Sequence, residues 1–425
     1  MSGLALEWVG DRGRFAELRE EWDGLLMRSG AALFNSWEWL YPWCQRVAPR
    51  AKLRILLVRN AAGALMGALP LVEERELTGR KLGFIAGHGV GSDDLDVLID
   101  PWARESVLDA MAGALARERD WDVLRLSDVP HGDTAARGLV SRLLEVSSPE
   151  VSGSGSPKVS SPEVSNTSSL GGQASWPAEV SNTSSSTLLA GSEERPRYQC
   201  PFISFPSGTE WDDVLRRSGR RDNVLRRRKW LLAQPGYAIR CIHEPVDSAV
   251  GIRTFLDLHV RRWAPRGGSQ GIRGPWVEAF HRDAAWFLAE RGALRLFFLE
   301  LEGRPVAALY GMVHRRAFLF YQSGADPDFA TRSVGLVLLA ESIRAALEEG
   351  LERYEFLHGE EPYKLEWADS IRKTVTHIVW RRGVRARMAR LEETLGRRLT
   401  TAAAQVLPQS AVARLRASRR AAPID

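Results

Sequence analysis

Cysteine is scarce in this chain of 425 residues: Cys44, Cys200 and Cys241 stand far apart and in no paired spacing. That argues against a disulfide framework or a cysteine-rich zinc module and fits a reducing compartment. Long apolar runs are missing as well, and none approaches the ~20 residues that span a bilayer. The first ten residues lack the basic start and apolar stretch of a signal peptide, so a cytoplasmic protein is expected. Phosphate and metal signatures are also wanting in the glycine-rich stretch Gly87–Asp94, which follows neither a dinucleotide nor a Walker spacing. Its acids, Asp93 and Asp94 with Asp96 beyond, lack the spacing and closing Glu of an EF-hand. No metal is expected, and the stretch reads as a mobile loop before a strand at Leu95–Ile99, shaping a cleft.

What is present is a globular composition, 44% apolar and 26% charged, long enough for two domains. The net charge of +5 is local in origin. Residues 216–230 hold eight basic residues against one acid, and residues 381–420 hold eleven arginines against two acids. An anionic partner would meet one of those segments rather than the whole surface.

Residues 147–192 are dominated by Ser, Thr, Pro, Gly and Asn, and carry the repeat EVSNTSS at Glu163–Ser169 and Glu179–Ser185. Such a stretch buries too little apolar surface to offset the entropy of ordering, and reads as a disordered linker. The chain then divides into a first domain (1–146), the linker (147–192), a second domain (193–380), and a basic C-terminal segment (381–425). In that last segment Val384, Met388, Leu391, Leu395 and Leu399 recur at helical spacing among arginines. The amphipathic helix they form packs on the domain or, less favoured, touches an anionic membrane surface.

The two domains have similar layouts. Strands at Leu53–Arg59 and Ala64–Val72 flank a turn, as do Leu294–Leu301 and Pro305–Val313. A helix at Ala103–Arg119 leads into a strand at Asp122–Leu126. In the same way a helix at Ser333–Glu349 leads into Tyr354–Leu357, and its Leu336, Leu339, Ile343 and Leu347 share one face. A duplication and two unrelated α/β domains both account for this.

The second helix follows the strand Ala317–Gln322 and the turn Ser323–Pro327, and opens with Arg332-Ser333-Val334-Gly335-Leu336. A helix start offers unpaired N–H groups and partial positive charge to a pyrophosphate, Gly335 admits close approach, and Arg332 adds a cation. This order resembles the acyl-CoA-binding motif of the GNAT superfamily, with Val337 where that motif has a small residue. Two more stretches, Glu355-Phe356-Leu357-His358-Gly359-Glu360-Glu361-Pro362-Tyr363-Lys364-Leu365-Glu366-Trp367 and His259-Val260-Arg261-Arg262-Trp263, resemble the signatures of one GNAT branch. That branch holds acetyltransferases associated with cellulose and exopolysaccharide synthesis and is related to the FemAB peptidyltransferases. Phe34-Asn35-Ser36-Trp37-Glu38-Trp39-Leu40 matches its N-terminal element.

The resemblance implies two GNAT-like halves, each a mixed, largely antiparallel sheet flanked by helices, with acetyl-CoA or another acyl-CoA bound by the second. The first half, with Asp100-Pro101-Trp102-Ala103 at its late helix, would be degenerate for that binding. An acyltransferase acting on a sugar or polysaccharide-precursor amine or hydroxyl follows. A charged-tRNA donor served by the Arg216–Lys229 helix, or a non-catalytic scaffold, is the alternative. Thioester acyl transfer needs a proton acceptor, carbonyl polarisation and an acid for the thiolate. Glu355 or Glu360 would take the proton, unless Glu355 is a strand carboxylate paired with arginine. Tyr363 would protonate the thiolate and Lys364 would steady negative charge, unless both belong to a packed surface helix. His259 is a base, an acceptor ligand or a structural histidine, with Arg262 and Trp263 lining the acceptor pocket. Ser333, Val334, Gly335, Leu336 and Arg332 would hold the phosphates, and Tyr321 would border the pantetheine arm or sit in the core.

Overall fold

A computed structural model describes residues 3–76, 78–147, 188–269 and 271–406. Most of the expected linker (148–187) and the end of the tail (407–425) lie outside the described residues.

The first half runs β1 (Ala5–Val9), α1 (Arg12–Glu17), α2 (Arg19–Ser29), α3 (Trp37–Arg46), β2 (Lys52–Arg59), β3 (Leu65–Glu76) and β4 (Gly79–Phe84). It continues with β5 (Leu98–Ile99), α4 (Arg104–Arg117), β6 (Val123–Pro130) and α5 (Ala135–Val146). The turn between β2 and β3 forms because the Asn60 carboxamide oxygen accepts the N–H groups of Ala62 and Ala64, a local bond that only a short polar side chain makes.

The second half begins with β7 (Leu189–Ser204), α6 (Trp211–Arg217), α7 (Arg221–Leu232), β8 (Ala238–Ile242), α8 (Pro245–Trp263) and α9 (Pro275–Glu290). After these come β9 (Leu294–Leu301), β10 (Arg304–His314), β11 (Ala317–Ala325), α10 (Val334–Glu348), β12 (Arg353–Glu355), α11 (Pro362–Trp367), β13 (Ser370–Arg381) and α12 (Val384–Val406). β7 starts inside the stretch expected to be linker, so Leu189–Ser192 are strand. The basic stretch 216–229 is two helices and not one, because Gly219 adopts φ +65° between α6 and α7.

The strands form one sheet in the order β1-β2-β3-β4-β6-β13-β7-β12-β11-β10-β9-β8, with β5 paired to β3. The order reads alike from either end. In both halves a hairpin is followed by a parallel pair, β4 with β6 and β11 with β12, joined through a helix. The centre is an exchange: β13, last in the chain, pairs with β6 of the first half, while β7 pairs with β12 of the second. β7 and β13 then pair with each other from Leu189↔Arg381 to Phe202↔Ser370.

Two large apolar cores result among the described residues, with a small third cluster of Val123, Ile378, Trp380 and Ala386 under α12. One runs through both halves, joining Trp39, Leu57 and Leu126 to Phe280 and Tyr321; the other lies beneath α10. In α10 the buried stripe includes Val334, Val337, Leu338 and Ile343, while Leu336 and Leu347 are only partly covered. The apolar stripe of α12 does not pack as expected. Val384, Met388, Leu391 and Leu395 are exposed, and the helix docks through the opposite side. There Ala386 is buried, Arg390 stacks on Trp380 at 4.8 Å, and Glu393 pairs with Arg125 and Arg195. No helix among the described residues is long and apolar enough to cross a membrane.

Candidate functional site

β11 and β12 pair only over Ala317–Leu319 and Arg353–Glu355, and beyond that the two strands separate. β11 carries a bulge beside this gap, with Tyr321 the extra residue between Phe320, opposite Gly311, and Gln322, opposite Tyr310. On the α10 side a cavity of about 490 Å³ opens, walled by Phe320, Ser323 and Ala325 of β11 and by residues of α10.

The start of α10 forms one end of that cavity. Asp326 accepts the N–H of Asp328 and begins a 3-10 turn over Pro327–Arg332. Ser333 then takes a left-handed conformation, φ 55° and ψ 37°, which is unusual for a residue with a side chain. Its carbonyl accepts the N–H groups of Leu336 and Val337, and no described residue accepts those of Val334 and Gly335. An added Cβ on Gly335 would meet nothing within 4 Å. Two donors and open space at a helix start suit an anionic group. The first half repeats the turn, with Asp100 accepting the N–H of Trp102, but runs straight into α4 without the left-handed residue.

Ser333, Val334, Gly335, Leu336, Arg262 and Tyr363 line the cavity. The other expected site residues do not. Arg332 lies flat over Trp230 at 4.3 Å and faces solvent. Val337 is fully buried in the core beneath α10, away from the cavity lining. Strand alternation turns Tyr321 to the opposite face, where it packs on Trp39 and donates its hydroxyl to the Val90 carbonyl. Trp263 lies beside the His259 ring.

His259 lies outside the cavity lining. It is fully buried between the Ser323 carbonyl at 2.9 Å and the Ser269 hydroxyl at 2.8 Å, and burial holds its pKa below the usual histidine value. Lys364 is buried too, donating to the His358 carbonyl at 2.7 Å and pairing with Glu361 at 3.0 Å. Glu355 accepts from Arg372 Nε at 2.9 Å and faces the first half, away from the cavity. Arg262 donates to the Ser323 hydroxyl at the cavity wall. Burial, with Glu361 adding to it and Arg262 opposing, raises the Tyr363 phenol above its ordinary pKa.

Five of the eight basic residues of the Arg216–Lys229 segment pair with acids of the same chain. Arg216 and Arg221 pair with Asp212, Arg217 with Asp369, Arg220 with Glu366 and Arg228 with Glu341.

The glycine-rich stretch is pinned rather than left as a loop over a cleft. Val90 and Asp93 are fully buried against the second half, and only Leu98–Ile99 is strand. Asp93 accepts the backbone N–H of His358 at 2.8 Å and its Nδ1–H at 2.9–3.0 Å. Asp94 pairs with Arg372, and Asp128 with Arg197 at 2.9 Å. Burial raises the pKa of Asp94 to about 7 against the opposing Arg372, with Asp93 and Glu355 adding to the rise. His358 was not among the residues expected to act. Its only sequence signal is its place in the motif, because its partner Asp93 lies far away in the chain.

Residues 218–365, less than half of the chain, match the model of the acetyltransferase (GNAT) domain. No curated protein sequence matches. Among solved structures, FemX aligns with 11% identity and a TM-score of 0.55 over 86% of this chain and 96% of its own. A conserved protein of unknown function from Bacteroides thetaiotaomicron aligns with 11% identity and a TM-score of 0.50 over 89% of this chain and 100% of its own. At such identity the likeness is one of fold. The chain is thus a mixed α/β protein of two similarly laid-out halves sharing one largely antiparallel sheet, with the GNAT domain match lying in the second half.

Proposed function

We propose that the protein is an acyltransferase that takes its acyl group from an acyl-CoA held in the cavity of the second half. The start of α10 carries this reading: the Val334 and Gly335 N–H groups open onto about 490 Å³ of space beside a gap in the sheet. A pyrophosphate meets donors there, and the apolar walls of Leu309, Phe320 and Leu339 suit the pantetheine and acyl chain.

In this reading an amine or hydroxyl attacks the thioester carbonyl carbon, the C–S bond breaks, and the thiolate leaves as CoA. Tyr363 stays protonated because of its burial and supplies the thiolate's proton, and Arg262 beside it stabilises developing negative charge. An amine or hydroxyl of a sugar or polysaccharide precursor is the acceptor proposed, and the cytoplasm is the place of action. A charged tRNA as donor is less well supported, because the arginines of α6 and α7 are mostly paired with local acids.

Calorimetric titration with acetyl-CoA and longer acyl-CoAs tests the donor. Micromolar binding that disappears in Gly335→Glu supports it, and absence of binding to every acyl-CoA sinks it.

A further inference from the structure

Opposite the cavity, where β12 separates from β11, one imidazole is held by a residue of the other half. His358 lies three residues beyond Glu355, the last residue of β12 paired to β11. Asp93 is fully buried and grips the His358 backbone N–H and ring Nδ1 with one carboxylate. A carboxylate only accepts, so the ring proton sits on Nδ1 and the lone pair of the neutral ring on Nε2. No described residue bonds to Nε2, and about a third of the side chain is exposed.

The surroundings fix this ring. Tyr198 stacks on it at 4.8 Å, and Lys364 Nζ holds the His358 carbonyl while its neighbour Tyr363 reaches the cavity. A Cβ added at Gly91 would lie 3.4 Å from the ring Cε1, 4.0 Å from Nε2 and 3.5 Å from the hydroxyl of Tyr321, so the glycine lets the first half approach both the ring and the tip of a β11 side chain. The backbone is left-handed at three non-glycine residues around it: Leu357 (φ 58°), Asp94 (φ 54°) and Asp128 (φ 62°). Such conformations are unfavourable for residues with side chains and cluster where geometry serves function.

We propose that His358 is the base that takes the acceptor's proton, and that Asp93, supplied by the first half, is its positioning residue. This rests on the acyltransferase reading above. Nε2 accepts the proton of the amine or hydroxyl as that atom forms its bond to the thioester carbon. The C–S bond then breaks, the thiolate takes the Tyr363 proton, and the imidazolium's proton returns through solvent to the tyrosinate. The first half thereby has a catalytic purpose although it carries no donor site.

The charges facing the ring are mixed. Asp93 and Asp128 attract its proton and Lys364 on α11 repels it, while Arg197 and Arg372 are occupied by Asp128 and by Asp94 with Glu355. Burial disfavours the imidazolium, but Asp93 outweighs burial and holds His358 above the ordinary value of 6.5.

Three measurements on the full-length protein test this. Acetyl-CoA binding by calorimetry reports on the donor alone, and should be equal in wild type, His358→Gln and Asp93→Asn. The 13C-histidine NMR titration of the His358 ring, assigned with His358→Gln, should give a midpoint above 6.5 in wild type and a lower one in Asp93→Asn. CoA release from acetyl-CoA with a mixture of amino sugars as acceptors should fall at least tenfold in kcat in both variants with KM for acetyl-CoA unchanged, and its pH midpoint should follow the NMR value. Loss of acetyl-CoA binding by the wild type sinks the donor reading and leaves the titration standing. An unchanged ring midpoint in Asp93→Asn, or CoA release in wild type no faster than in His358→Gln, overturns the dyad even when acetyl-CoA binds.

Discussion

Arg372 on β13 donates its Nε to Glu355 of β12 at 2.9 Å, and the same guanidinium reaches Asp94 in the other half. One cation therefore serves carboxylates from both halves, in a region where a third, Asp93, faces the imidazole of His358.

That crowding has a pH signature. Asp94 is pushed up to about 7, so between about 4 and 7 the unfolded chain has released this proton while the folded chain retains it. Stability from this group is full below the ordinary carboxylate value and is lost as pH rises toward 7. Asp94→Asn should therefore gain on wild type between about pH 5 and pH 8, by up to a few kcal/mol. Urea unfolding at the two pH values measures the difference; a constant offset would refute it.

Glu355→Gln removes one of the carboxylates that raise Asp94. The half-buried Arg372 loses half of its neutralisation, with a cost of about 3 kcal/mol or less because Asp94 remains and ionises more readily. We expect a lower unfolding midpoint with acyl-CoA affinity unchanged, since Glu355 lies outside the cavity. Thermal scans and calorimetry on one preparation separate the two effects.

Gly324 sets how closely α8 approaches β11. A Cβ there would lie 2.6 Å from the His259 backbone nitrogen and 2.7 Å from the Leu258 carbonyl carbon, neither of which can rotate away. Gly324→Ala should cost roughly 1–3 kcal/mol or more and lower the melting temperature by several degrees. A melting temperature equal to wild type would mean that α8 is free to shift.

His259→Ala should cost about 2–3 kcal/mol, from a lost buried side chain and the stranded Ser269 and Ser323 groups. Because burial holds the ring neutral, the pH dependence of turnover should stay as in wild type. A shifted pH midpoint in this variant would return His259 to the mechanism.

Tyr363→Phe keeps the ring in the cavity wall and removes the acid. Turnover should fall about 10²-fold or more, with acyl-CoA affinity within a few-fold of wild type. A parallel loss of binding would instead mark the hydroxyl as a donor ligand.

Much of this arrangement was legible in the sequence for local reasons. The strand Leu294–Leu301 lies where alternation and turn residues put it, and the α10 start at Val334 was marked by the turn-rich break before it. Residues whose direction depends on strand parity or on a distant partner were harder to read. Tyr321 sits in the core, one of the two places open to it from its position late in the strand, and Glu355 meets Arg372 across β7, which no spacing within either segment encodes. Asp93 was visible as an acid in a glycine-rich stretch, but its purpose depends on His358, which only the joined sheet brings near. The stripe of α12 was found at the right spacing and assigned the wrong side, because Arg390 and Glu393 make the contacts that fix the helix.

The exchange of β7 and β13 has a consequence for the way the molecule is made. When the ribosome has released the first half, β6 still lacks its neighbour, which is encoded at Ser370–Arg381 near the end of the described chain. Until those residues emerge, the nascent first half presents an open strand edge of the kind that recruits other chains. The same late arrival brings Arg372 to Asp94, so this half-buried carboxylate waits on one of the last segments synthesised for its counter-ion. Translation speed and chaperone occupancy should therefore govern the yield of active protein more strongly than the stability of either half.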